Sequence, residues 1–168
     1  MPARVVTQRE TVEQSIRDAN SRFYQTFAAL DLERMDDIWL HEDWVACVHP
    51  GWDLLLGWEE VRESLARIFS STQRMKVEIS SVWVRVEGDV AWVACTEQVT
   101  STFEQGFDQA LVQATNIFVR RPVEPEPSSS GAGSSSTGTA AKNREKFRWY
   151  MVAHHASPLP GGPPPTLQ

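Results

Sequence analysis

The chain has 168 residues, 41% of them hydrophobic, a formal net charge of -6 and a pI near 5.2. That is enough for one compact domain with a core of its own, and the acidic balance excludes a nucleic-acid groove or adhesion to anionic membranes as the plain reading. Residues 1–10 hold no apolar signal core and no run approaches membrane-spanning length, so a cytoplasmic protein is expected.

Thr7 and Glu10 fit a capping box. Val12, Ile16, Ala19, Phe23, Phe27 and Leu30 then recur at spacings of three and four, which predicts an amphipathic helix over 8–30. Asp31 is placed to cap a shorter helix with Leu32, Met35, Ile38 and Trp39 on its apolar side. The stretch 43–52 reads as a strand running into a forced turn. Val45, Cys47 and His49 share one face, and Trp44, Ala46 and Val48 the other. Pro50 cannot donate to a ladder, so the strand ends with an imidazole beside the turn. Gly57 opens a third helix with Trp58, Val61, Leu65, Ile68 and Phe69 as its buried stripe and Glu59 and Glu60 in its first turn.

After Thr72 the period changes to two. Met75, Val77 and Ile79 alternate with polar residues, and the phase then slips to Val82, Val84 and Val86. The slip predicts a β-bulge at Ser80-Ser81. Glu87-Gly88-Asp89 is a hairpin turn. The next strand, 90–100, puts Ala91, Val93, Cys95 and Glu97 on one face and Trp92, Ala94 and Thr96 on the other. A third strand, 109–121, aligns Val112, Ala114, Asn116 and Phe118. Residues 122–145, rich in Ser, Gly and Pro, read as a disordered insertion within a hairpin, because a strand resumes over 146–156. Residues 159–168 form a flexible Pro-rich tail. The result is a single α+β domain over 1–158: helix, helix, strand, helix, then a four-stranded antiparallel meander. A long helix laid across a strongly bent antiparallel sheet makes a cone with a pocket inside.

Cys47 and Cys95 sit in apolar strand patterns and are expected to be reduced, buried thiols. No Cys-x-x-Cys or His-x-x-x-His spacing accompanies them, so no metal is expected there. No other cofactor is expected either.

Four segments carry a family resemblance: 28–35 (Ala-Ala-Leu-Asp-Leu-Glu-Arg-Met), 48–52 (Val-His-Pro-Gly-Trp), 57–61 (Gly-Trp-Glu-Glu-Val) and the closing 149–158 (Trp-Tyr-Met-Val-Ala-His-His-Ala-Ser-Pro). Together they resemble the SnoaL-like branch of the NTF2-like superfamily, which includes ketosteroid isomerase, over nearly all of 8–158 except the insertion. The His-Pro-Gly and His-His-Ala-Ser-Pro pieces are similar to one subfamily of it. The resemblance implies the NTF2-like, cystatin-like cone. It also implies roles by position: His49 where isomerase-type members carry a general base, Asn116 near a second acid that holds the enolate oxygen, and Phe23 near an oxygen-binding tyrosine. Tyr24, one residue on, is expected to turn elsewhere.

The candidate catalytic residues are thus His49, whose imidazole suits proton transfer near neutral pH, and Asn116, a donor to a developing oxyanion. Each has a structural counterpart reading: His49 locks the turn, and Asn116 satisfies backbone groups in a bent sheet. The expected ligand-binding residues are Phe23, Phe27, Trp44, Trp52, Cys95, Glu97, Phe118, His154 and His155. Glu97 is either a buried acid with a raised pKa or a solvated strand-end residue, and the solvated reading is preferred. His154 and His155 point to opposite faces, one of them into the cone. Trp44, Trp52, Trp83, Trp92 and Trp149 either line the pocket or cover the open sheet face, where a homodimer is expected. This fold hosts both enzymes and binding modules. The preferred function is a module that binds a small hydrophobic ligand or serves assembly. The alternative is an isomerase, cyclase or dehydratase with His49 as base.

Overall fold

The computed structural model describes residues 8–123 and 146–160. The expected cap at Thr7, residues 124–145 of the insertion and residues 161–168 of the tail lie outside the described residues. Helix α1 spans Gln8–Ala28 and buries Ile16, Ala19, Asn20, Phe23 and Tyr24. It ends with Leu30 in the left-handed region, φ 55°, where the Asp31 amide donates to Thr26 O at 3.3 Å. That wrap satisfies a terminal carbonyl and lets the chain reverse. Asp31 then caps α2 (Leu32–Asp36), its carboxylate accepting from the Arg34 amide at 3.0 Å.

Strand β1 is short, Ala46–Val48, and pairs with β2, Leu55–Leu56, across the His-Pro-Gly-Trp turn. Val45, Cys47 and His49 are buried and Trp44, Ala46 and Val48 are not, as the alternation predicts. Gly57 holds φ 84° before α3 (Trp58–Ser71), with its amide bonded to Val45 O at 2.8 Å. A Cβ there would sit 3.4 Å from Asp43 O, so both the conformation and the space favour glycine.

Strands β3 (Arg74–Glu87), β4 (Val90–Phe103), β5 (Gly106–Pro122) and β6 (Phe147–Pro158) form the expected antiparallel meander. The register shifts between Ser80 and Trp83, where Ser81 has φ 52°, and this is the bulge that the phase slip predicts. A second shift falls between Ile117 and Phe118. The full sheet has the order β2-β1-β6-β5-β4-β3 and is mixed, not wholly antiparallel, because β1 runs parallel to β6. It is open, with β2 and β3 as its edges. Helix α1 packs on β3 and β6, and α3 packs on β1 and β2. Between these helices and the sheet lies one core built on Ile16, Phe23, Trp39, Leu65, Val93, Val112, Phe118 and Met151. Among the described residues, no helix is long and apolar enough to cross a membrane.

Candidate functional site

At one end of that core the packing leaves a cavity of about 160 Å³. Helix α1 contributes Phe23, Tyr24 and Phe27, and the turn after β1 contributes His49, Pro50 and Trp52. Helix α3 adds Ile68, β4 adds Glu97, Val99 and Phe103, and β6 adds His154. The walls are mostly apolar, and an engineered cavity of about 150 Å³ holds a benzene-sized molecule.

The base of the cavity is polar and continuous. His154 lies opposite Asn116 across the β5–β6 ladder, and its Nδ1 is 2.6 Å from Asn116 Oδ1. An amide oxygen only accepts, so the imidazole donates and keeps its Nε2 as the lone-pair nitrogen. Asn116 Nδ2 donates to Asn20 Oδ1 at 2.8 Å and to Tyr24 Oη at 2.9 Å. The Tyr24 hydroxyl donates to Glu97 Oε1 and also lies 3.3 Å from Cys95 Sγ. The donors in this chain all point the same way, from His154 towards Glu97.

His49 stands on the other wall, its ring centre 6.4 Å from that of His154 and 5.2 Å from Trp52, which meets it edge-on. Its Nε2 is 2.8 Å from Ser64 Oγ, and Ser64 donates its single hydroxyl hydrogen to Val61 O at 2.7 Å. His49 Nε2 therefore donates to Ser64, and Nδ1 is left as the basic nitrogen.

Burial sets the charges. Desolvation pushes the Glu97 carboxyl up to about 7, although the Tyr24 hydrogen bond opposes it. Desolvation, with the Arg67 charge adding to it, pulls His49 down to about 4. Burial and the neighbouring imidazoles of His49 and His155 pull His154 down to about 3. Tyr24 is driven up by burial and by the Glu97 charge beside it, so it keeps its proton. Cys47 is raised by burial and then by Glu97. Burial takes Cys95 up to about 11 against the Tyr24 hydrogen bond, and both thiols are free, buried and protonated. Near neutral pH the cavity thus holds two uncharged imidazoles and a carboxyl close to its midpoint. Among the described residues no group of three His, Cys, Asp or Glu is placed to hold a metal ion.

The structure brings Phe23, Phe27, Trp52, Glu97, His154 and His49 to this cavity and leaves the other expected residues elsewhere. Trp44 is 49% exposed, because the expected strand starts only at Ala46 and Trp44 lies in the turn before it. His155 is exposed on the far side of β6, so His154 is the one that faces in. Phe118 is buried in the core two strand positions beyond Asn116 and off the cavity. Cys95 sits behind Tyr24 and not in the wall. Asn116 is fully buried with both amide hydrogens and its oxygen engaged, so it has no donor for a substrate oxygen and positions His154 and Tyr24 instead. Glu97, expected to be solvated, is 5% exposed, because β4 continues to Phe103 and leaves it well inside the strand. Tyr24, expected to turn elsewhere, points in, since the buried arc of α1 is wide enough for Phe23 and Tyr24 together. Tyr24, Asn20 and Ser64 are absent from the sequence-based site. The spacing of Ile16, Asn20, Phe23, Tyr24 and Phe27 carries the signal for two of them, because all fall within one helical face.

Helices laid over an open six-stranded mixed sheet, with a cavity between the layers, define the NTF2-like class of α+β fold. The profile of the SnoaL-like domain matches residues 16–124, and the chain belongs to that family. A candidate dehydratase of the NTF2-like family from Streptomyces avermitilis is 30% identical, with a TM-score of 0.72 over 90% of this chain and 99% of that one. A candidate calcium/calmodulin-dependent protein kinase type II association domain from Thiobacillus denitrificans is 27% identical, with a TM-score of 0.61 over 84% of this chain and 92% of that one. Among curated proteins, the F-box protein SKIP8 of Arabidopsis thaliana is 24% identical over 143 residues, 85% of this chain. The chain spans about half the length of that relative, 49%.

Proposed function

We propose that the chain is an acid–base enzyme that eliminates water from a small apolar compound bearing a hydroxyl one carbon away from the acidic C–H beside a carbonyl. The observation that carries this reading is Glu97: a carboxyl buried in an apolar cavity, hydrogen-bonded by Tyr24 and balanced near neutral pH. His49, uncharged and with Nδ1 as its basic nitrogen, takes the proton from carbon. Protonated Glu97 gives its proton to the departing hydroxyl as the C–O bond breaks, so water leaves and a conjugated carbonyl remains. The proton on His49 then returns to Glu97. The site begins and ends uncharged, which suits a desolvated cavity. The likeness to a candidate dehydratase supports the reading, and so do Tyr24 and Glu97, a tyrosine and a second acid in the cavity that the sequence pattern alone does not place there. A place in the His-Pro-Gly, His-His-Ala-Ser-Pro subfamily is part of this proposal.

The test is turnover of one-ring and two-ring β-hydroxy ketones, followed by the absorbance of the enone. Glu97→Gln should lower kcat/KM by about 100-fold or more while the protein stays folded. Wild-type activity should fall as the pH rises through about 7, where Glu97 loses its proton. Compounds that bind and emerge unchanged from wild type would instead make this a binding module. A second reading, assembly, draws on the likeness to an association domain and on the outer sheet face, where Trp83 is 52% exposed. A homodimer through that face belongs to either reading, and sedimentation of wild type against Trp83→Glu tests it.

A further inference from the structure

Away from the apolar cavity, three cationic side chains meet. Arg22 of α1, Arg34 of α2 and Arg148 of β6 line one cavity of about 260 Å³ with Gln25, Thr26 and Asp37. Three guanidiniums thus face one carboxylate, in a chain whose net charge is -6. Arg34 is partly matched, with its Nε 3.4 Å from Asp31 Oδ2. Among the described residues, neither Arg22 nor Arg148 has an ion-pair partner. Arg148 is held with its guanidinium carbon 5.3 Å over the Tyr150 ring, and its Nε is buried with no hydrogen-bond partner.

A buried donor without an acceptor is costly and calls for a reason. Two guanidiniums near each other add repulsion. Partial desolvation and then the Arg148 charge lower the pKa of Arg22, and the charges of Asp37 and Asp18 only partly offset this. An oxyanion supplies the missing negative charge and offers acceptor oxygens to the guanidinium groups that line the cavity, and forked guanidiniums suit it better than a point charge does. We propose that Arg22, Arg34 and Arg148 form a binding site for a small phosphate-type oxyanion, separate from the apolar cavity. The site is anchored on the α1 segment whose other side presents Phe23, Tyr24 and Phe27 to the apolar cavity.

The test titrates the full chain with inorganic phosphate at constant ionic strength, balanced with chloride. It reads the arginine Nε–H resonances and the melting temperature. Saturable shifts at Arg22 and Arg148, with a rise in melting temperature, are expected in wild type. R22Q alters an exposed helix position and should keep the phosphate-free melting temperature, yet weaken binding about tenfold or more. R148K keeps the charge but loses the fork and the Nε donor, and should bind more weakly than wild type. Shifts that grow linearly without saturating overturn the proposal. So does a response to phosphate that is equal in wild type and R22Q, or one that chloride reproduces.

Discussion

The two faces of the same three strands make the most informative contrast in the molecule. On the inner face, Glu97, Asn116 and His154 are buried and joined by hydrogen bonds through Tyr24. On the outer face the adjacent Thr96, Thr115 and His155 carry similar polarity, and their contacts are looser: Thr96 Oγ1 reaches Gln113 at 3.5 Å, and His155 reaches Ser157 at 3.1 Å. One residue of register separates the two environments. Polarity alone therefore says little here. What matters is whether a polar group has lost water and so depends wholly on a protein partner.

Substitutions across that divide should have unequal effects. The largest is expected for Asn116→Leu, which strands His154, Tyr24 and Asn20 together and should cost about 3 kcal/mol in urea unfolding. A loss under about 1 kcal/mol would mean that the buried chain is not tightly coupled.

Next come the titrations. Glu97 is raised in the folded state, so its contribution is fully present below about 4.5 and is lost as the pH rises through about 7. His49 and His154 are lowered, so each contributes stability above about 6.5 that is lost as the pH falls towards about 4 and about 3. Two imidazoles oppose one carboxyl between about 4.5 and 6.5, and wild-type stability should climb across that window. Glu97→Gln should make the climb steeper and His154→Gln shallower, by a swing of about 2 kcal/mol in thermal or urea unfolding. Parallel pH curves for all three would refute the burial argument.

Smaller still is Trp92→Ala. The ring is half-buried on the outer face, 6.1 Å from Trp83, and its loss should cost about 1 kcal/mol at low protein concentration. A cost that grows with concentration would place the ring in a subunit interface. Thr115→Ala, on the exposed side, should stay within about 0.5 kcal/mol.

Most of the architecture was legible in the sequence because it rests on local signals. The period change after Thr72, the phase slip at Ser80-Ser81 and the Asp31 cap each reappear in place. The site was less legible because it depends on relations that no local pattern encodes. That Asn116 faces His154 is a matter of register between strands far apart in the chain. That Glu97 lies inside β4 follows from the strand running three residues past its expected end at Thr100. Tyr24 escapes a strict three-and-four spacing because the buried face of α1 is an arc wide enough to hold it beside Phe23. The parallel pairing of β1 with β6 has no sequence signature of its own, because three residues are too few to show one.

That pairing bears on the order in which the walls of the cavity come together. Cys47 is held beside His154, and on the other side of β1 the sheet ends with the two residues of β2. As the chain emerges from the ribosome, the wall bearing His49 is made early but finds its seat only when Phe147–Pro158 arrives. Pairings this distant in sequence are slow to form. The meander of β3, β4 and β5 can assemble beforehand, and the cavity between His49 and His154 closes only when the last strand docks between β5 and β1.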